Sequence, residues 1–293
     1  MNKFKILIFV LLLTCSASTA VAEGIDILTP VTARVSGNYI SDADYKDSDA
    51  SSSVLSGRVR LNAGGFSLSY EGKRYSWNKV DQLSFGNGND DPWKSLHRIA
   101  VGYTHNGAID KKWFYGAGIT GTSAFEEEMS DSFGGAVRGH IGYIFTENFK
   151  AIIGARAFIN SIRFSAMPYA GLMYEDFDKD GAGFFVNIGL PANEAGYAFS
   201  KKSKIRASFN IDGKTYRLKD SSSVSESGYV SMSSMVAGIY YDWKPFKGFS
   251  MSLGPEYYFS REMKMYDKHG DRFGGTTKQD SSVGGMLSFR YKF

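Results

Sequence analysis

The sequence predicts an all-β protein, a closed antiparallel transmembrane β-barrel of about twelve strands, within a range of about ten to fourteen. Three observations carry that expectation. Segments of about ten residues alternate apolar and polar side chains, the period of a strand with two unlike faces. No stretch beyond residue 22 holds 18 consecutive apolar residues, so no helix is offered to a bilayer. Aromatic residues reach 15% and Gly 33 residues against only 6 Pro, a composition of strands and tight turns. In lipid only helices and closed barrels satisfy every backbone group. A membrane protein of this composition must therefore close its sheet.

The N-terminus comes first. Lys3 and Lys5 form a positive start, Ile6 to Leu13 an apolar run, and Ala20-Val21-Ala22 an A-x-A cleavage site. This reads as a secretory signal peptide over 1–22, removed to leave 23–293 as the barrel. Cys15, the one cysteine, follows Leu12-Leu13-Thr14 rather than a small residue, and leaves with the signal. The remaining chain then has no thiol for disulfides or catalysis. Loss of Lys3 and Lys5 lowers the formal charge from +4 to +2, so nothing points to nucleic acid.

Alternation is read next along the chain. Val31, Ala33, Val35 and Tyr39 alternate with Thr32, Arg34, Ser36 and Asn38. Leu55, Val59 and Leu61 do so with Ser56, Arg58, Arg60 and Asn62. Ile205, Ala207, Phe209 and Ile211 oppose Arg206, Ser208, Asn210 and Asp212. Phe249, Met251, Leu253, Pro255, Tyr257 and Phe259 oppose Ser250, Ser252, Gly254, Glu256, Tyr258 and Ser260. A soluble β-sandwich also alternates, but its strands average about five or six residues.

The last strand is the clearest. Val283, Leu287, Phe289, Tyr291 and Phe293 share one face, and Met286, Ser288, Arg290 and Lys292 the other. Its terminal Phe, with aromatics two and four residues before it, resembles the C-terminal signal of Gram-negative outer-membrane proteins. That resemblance implies an outer-membrane location, outer-membrane lipids and lipopolysaccharide as surroundings, and the barrel-assembly machinery as a partner through the strand ending at Phe293.

Loop lengths give an orientation. Long polar connections fall at Ser41–Ser53, Asn78–Ser95, Ala124–Phe133, Lys219–Gly228 and Lys264–Asp280, and short ones at Gly64-Gly65, Asn106–Lys112, Thr146–Phe149 and Lys244–Gly248. In such barrels long loops face outside and short turns the periplasm. Trp113, Tyr115, Tyr143, Phe145, Tyr241 and Trp243 lie near short turns, as an interfacial girdle would.

The pattern breaks between Asn160 and Ser203, where Pro168, the Asp176–Gly183 turn and Leu190-Pro191-Ala192 intervene. Pro belongs at an edge or bulge. The count is twelve if Phe184–Ser200 is one bulged strand, and fourteen if Pro191 opens a hairpin; twelve is taken. The segment Gly189-Leu190-Pro191 to Tyr197-Ala198-Phe199-Ser200 resembles one in an uncharacterised porin-like family of outer-membrane barrels. That likeness implies no particular activity.

The polar phase left after removing the apolar face contains Arg34, Arg58, Arg60, Arg98, Arg138, Arg156, Arg206 and Arg290, with Lys73 and Lys292. The acids are fewer, Glu71, Asp212 and Glu256, and His140 joins them. A cationic wall around a narrow pore favours anions, so the reading is a porin-like channel for small anionic solutes. The same arginines, paired to the acids, would equally pack a non-conducting interior. Both remain open at this point.

Enzyme chemistry would rest first on the four histidines. Asp267-Lys268-His269 has the Asp-x-His spacing of outer-membrane aspartyl-type proteases, but its neighbours do not match that family, and Asp90-Asp91 point apart. A Ser–His hydrolase needs a serine beside a histidine, and neither His140 nor His105 has one nearby in sequence. Asp176-Phe177-Asp178-Lys179-Asp180-Gly181 begins like an EF-hand loop but lacks the closing Glu, leaving a solvated turn with weak cation binding near the lipopolysaccharide surface. No cofactor motif is present, and no catalytic residue is assigned.

Overall fold

The computed structural model describes residues 31–46, 48–189 and 192–293. The expected signal segment and its cleavage near Ala22 lie outside these residues, as do Leu190 and Pro191. The described strands are β1 (Thr32–Asp44), β2 (Ser51–Ala63), β3 (Phe66–Asn78), β4 (Ser95–Ala108), β5 (Trp113–Phe125), β6 (Phe133–Ile144), β7 (Phe149–Asn160) and β8 (Arg163–Phe177). They continue with β9 (Gly183–Gly189), β10 (Ala192–Ser200), β11 (Ser203–Arg217), β12 (Tyr229–Trp243), β13 (Phe249–Tyr266), β14 (Arg272–Gln279) and β15 (Ser282–Lys292).

Wall neighbours pair antiparallel, and β1 pairs with β15, so the sheet closes on itself. The Phe293 N–H donates to the Val31 carbonyl at 2.9 Å and ties the two ends of the wall together. Strands β14 and β15 continue one register against β13, with Arg261 opposite Gln279 and Tyr258 opposite Ser282. They are two halves of one wall strand, interrupted at Asp280 and Ser281. Ser260, at φ 50° or just below (49°), marks the matching irregularity in β13. Across it the buried phase moves from Glu256 and Tyr258 to Arg261, Met263 and Met265.

The wall among the described residues therefore has fourteen strands rather than twelve. The difference lies in Phe184–Ser200, which is a hairpin: Ala195 lies opposite Val186 and Tyr197 opposite Phe184. The Gly189 N–H donates to Asn193 Oδ1 at 2.9 Å beside the reversal. Alternation alone hides this turn, because exposed Phe184 and Ile188 leave on the outer face and exposed Phe199 returns on it.

Outside, exposed Leu55, Leu68, Val101, Ile119, Val137, Ile153, Leu172, Ile205, Ile239 and Leu253 form an apolar belt. At the short-turn end Tyr143 lies 4.8 Å from the rings of both Trp113 and Phe145, and Tyr241 and Trp243 are exposed. A belt bounded by aromatic residues is the outer surface of a membrane-spanning barrel. The β2–β3 turn is the tightest at that end, with Gly64 at φ 54° and Gly65 at φ 88°. Positive φ at both central residues matches the twist of a two-residue hairpin.

Two loop expectations change. Strands β13 and β14 extend through most of Lys264–Asp280, leaving a turn in which the Asp267 carboxylate accepts N–H bonds from His269 at 2.8 Å and Asp271 at 2.9 Å. The Asp176–Gly181 segment falls at the short-turn end, away from the long loops, and the Asp178 carboxylate closes it by accepting the Asp180 and Ala182 N–H groups. It is a backbone-capped turn at the end opposite the long loops.

At the long-loop end the wall is pinched. Strand β8 pairs with β9 only over Gly171–Phe177, and β11 pairs with β10 only up to Asn210. The outer part of β11 leans instead toward β5, bridging Arg217 to Phe125, with the Glu126 N–H donating to the Arg217 carbonyl at 2.9 Å. One side of the pinch is filled by a buried core of Tyr45, Val54, Tyr75, Phe85, Trp93, Leu96, Tyr216, Leu218, Val230, Met263 and Met265. The connection between β3 and β4 supplies Phe85 and Trp93, which stack 6.0 Å apart.

Candidate functional site

Polar side chains of the inner face build the site. Arg34 on β1 lies directly opposite Arg60 on β2 and Arg290 on β15. Like charges directly opposite in a sheet destabilise it, and all three side chains are exposed. None of the three makes an ion pair among the described residues. Arg60 also stands within electrostatic reach of Arg58, Arg98 and Arg138, and Arg34 within reach of Arg206. Seven arginines thus share one field, which runs from Arg34, Arg60, Arg206 and Arg290 near the short-turn end to Arg98, opposite Ala124 near the long-loop end.

Arg138 on β6 sits opposite Arg156 on β7 and donates to Thr104 Oγ1 at 3.1 Å. The Arg156 guanidinium lies 5.8 Å from the Phe158 ring. His140 pairs with the Tyr169 hydroxyl at 3.1 Å. Arg206 differs: its Nε donates to Asp242 at 2.9 Å, and Glu194 lies 3.8 Å away. Glu256 is buried and held by neutral donors, Asn38 at 2.8 Å, Tyr240 at 2.7 Å and Tyr258 at 2.5 Å.

Glu71 is the hub of the acid side. It pairs with Arg58, accepts from Lys214 at 3.0 Å, and has Lys73 at 3.9 Å. Lys214 also donates to Asp212 at 3.0 Å. Since β3 and β11 are not wall neighbours, this cluster crosses the lumen. It roofs part of the arginine field below the apolar core.

The eleven side chains singled out from the sequence fall into three groups. Arg34, Arg60, Arg98, Arg138, Arg156 and Arg290 make no ion pair among the described residues. Arg58, Glu71 and Arg206 belong to ionic clusters. Glu256 and His140 are held by tyrosine hydroxyls. Sequence reasoning missed Lys214, Asp242 and Tyr240, whose roles depend on cross-lumen and cross-strand contacts. It also passed over Lys201, Lys202 and Lys247, which sit in short turns. His105, next to the expected Asn106–Lys112 connection, lies within β4 and meets the Tyr115 hydroxyl at 3.1 Å.

Outside the membrane-spanning part, the β5–β6 and β11–β12 connections are latched together. Buried Arg217 pairs with Glu128 at 3.2 Å and with Asp220. The Lys219 N–H donates to the Glu126 carboxylate at 3.1 Å. Burial pushes the Glu126 carboxyl up, against that hydrogen bond. Bonds from Ser227 and Arg217 hold Asp220 below the ordinary carboxylate range.

No protein-family model and no curated protein matches the sequence. Among solved structures, the chain is similar to an outer-membrane channel of Pseudomonas putida F1, with 8% identity, a TM-score of 0.45, and coverage of 94% of this chain and 98% of that one. It is similar to the KdgM porin in complex with disordered oligogalacturonate, with 11% identity, a TM-score of 0.34, and coverage of 89% and 99%. The Ralstonia pickettii toluene transporter TbuX gives 10% identity, a TM-score of 0.38, and coverage of 90% of both chains. The chain is a closed antiparallel β-barrel, and the solved structures it resembles in fold are outer-membrane barrels.

Proposed function

We propose that this barrel is a porin-like channel of the Gram-negative outer membrane, passing small anionic solutes passively. The observation that carries the reading is the row Arg290, Arg34 and Arg60, directly opposed on three adjacent strands without ion pairs. Such a row is held apart by water and by anions drawn into it, since a concave wall of one sign raises the local counter-ion concentration. A barrel of about eight strands can be filled by its side chains alone. Fourteen strands enclose more room, and the apolar core occupies one side of it. The proposed conduit follows the other side, along β5 to β10, where inward Arg138, Arg156 and Met167 are exposed.

Outer-membrane lipids surround the belt in this reading, and the strand ending at Phe293 engages the barrel-assembly machinery. The test is conductance of the refolded protein in a planar bilayer under a salt gradient. Discrete steps with a reversal potential favouring chloride are expected. A second reading, a non-conducting barrel, draws on the buried core and the β11–β5 bridge. A silent bilayer, with insertion verified, selects it.

A further inference from the structure

At the short-turn end the turns after β10 and β12 and the last strand border an open cleft of about 520 Å³. Lys201, Lys202, Lys244, Lys247, Arg290 and Lys292 line it, beside Phe246 and Ser250. No carboxylate lines the cleft, and none of the six cations forms an ion pair among the described residues. Asp242, the acid nearest in sequence, is engaged by Arg206 and Lys204. Ser250, Arg290 and Lys292 belong to the polar phase of β13 and β15, so the cleft reaches the arginine field, while Phe249 of the apolar phase borders its other edge.

We propose that this cleft is a binding site for phosphate-bearing solutes at the inner mouth of the barrel. Six exposed cations around one cleft, with no carboxylate in its lining among the described residues, repel one another, and a ligand with several negative charges relieves that repulsion. Lysine acts as a point charge toward phosphate, whereas planar bidentate capture of a carboxylate calls for arginine; five of the six groups are lysines. The site deepens the channel reading and rests on it for the route by which the solute arrives. Its occupant is a soluble anion, because Ser250, Arg290 and Lys292 turn the charged edge of the cleft toward the inner face.

Isothermal titration of pyrophosphate into the refolded full barrel in zwitterionic detergent tests this directly. Saturable binding is expected that weakens with added salt and falls at least about tenfold in the Lys201→Gln, Lys202→Gln, Lys247→Gln variant. These lysines sit in exposed turns, and the triple Lys→Arg variant, which keeps the charge, retains binding. Absence of binding, or equal binding by the Gln variant, overturns the site. A second arm uses nanodiscs of phosphatidylcholine with and without phosphatidylglycerol. Pyrophosphate binding that persists in both supports the soluble occupant. Displacement by phosphatidylglycerol, with that lipid retained on the protein, overturns it in favour of a headgroup. Conductance enters none of these readouts, so a silent bilayer and an empty cleft are separate failures.

Discussion

Glu71 and Lys214 meet at 3.0 Å although β3 and β11 stand on opposite sides of the barrel wall. The contact makes the interior a load shared between strands far apart in the wall. Nearby, the Tyr75 hydroxyl reaches Met232 Sδ at 3.2 Å and Lys73 lies 5.9 Å from the Tyr216 ring. One side of the outer half is therefore packed as a core, while the inner half keeps a cationic wall.

Replacing Glu71 by Gln leaves Arg58, Lys73 and part of the Lys214 charge uncompensated in a largely buried place. Removing one partner of a buried pair costs about 3–5 kcal/mol. The lower end applies, since Asp212 still accepts from Lys214 at 3.0 Å and Arg58 remains partly solvated. Denaturant unfolding followed by circular dichroism should show a loss of about 3 kcal/mol. A loss within about 0.5 kcal/mol, the ordinary range for surface substitutions, would mean the cluster does not hold the two sides together.

The arginine row makes a selectivity prediction. In the variant Arg34→Gln, Arg60→Gln, Arg290→Gln the fold should hold or gain slightly, because the like-charge opposition is gone. The reversal potential under a salt gradient should move toward that of a non-selective pore. An unchanged anion preference in a conducting variant would place the selectivity elsewhere, with Arg138 and Arg156 the next pair to replace.

Much of this was legible from the sequence and some was not, for physical reasons. Alternation assigns faces locally, so the arginines, the girdle and the terminal strand could be placed from their phase alone. It is blind to chain reversal when both arms of a hairpin keep the same outward phase, as Phe184 and Phe199 do, and the hairpin was missed there. The disturbance at Pro168 was visible, and β8 lacks a β9 partner at that level, where an absent N–H is tolerated. The pinch was not visible. It arises from contacts such as Arg217 with Glu128, separated by long stretches of chain, and no periodicity encodes them. The lysine cleft was hidden likewise, since its members come from two turns and the last strand.

The outer latch predicts a pH dependence with two opposing limbs. Glu126 is held above the ordinary carboxylate range by burial, so the folded state takes up its proton more readily than the unfolded chain. Its contribution falls as pH rises from that range toward neutrality. Asp220 is held below the range, so its contribution is present above the unfolded pKa and is lost as pH falls through the folded one. The latch should be firmest in mildly acid solution. The hydrogen-exchange protection factor at the Glu126 amide, which donates to the Arg217 carbonyl at 2.9 Å, should peak there and fall on both sides. Glu126→Gln should remove the limb toward neutrality and keep the acid limb. A single monotonic profile in the unaltered protein would sink the assignment.

The route itself can be mapped with introduced thiols. Once the expected signal segment carrying Cys15 is removed, a single new cysteine reports alone. Met167 and Val54 both belong to the inner phase, but Met167 is 42% exposed and Val54 only 4%. Met167 lies on β8 opposite Arg156, on the side away from the core, whereas Val54 packs within it. In Met167→Cys a charged, membrane-impermeant thiol reagent should react within minutes and change the conductance. In Val54→Cys reaction should be slower by orders of magnitude, limited by local opening of the packed side. Equal, rapid reaction at both positions would mean that solutes reach the core side as freely as the β5 to β10 side, and the eccentric route would have to be abandoned. Slow reaction at both, in a barrel shown to be inserted, would favour the non-conducting reading.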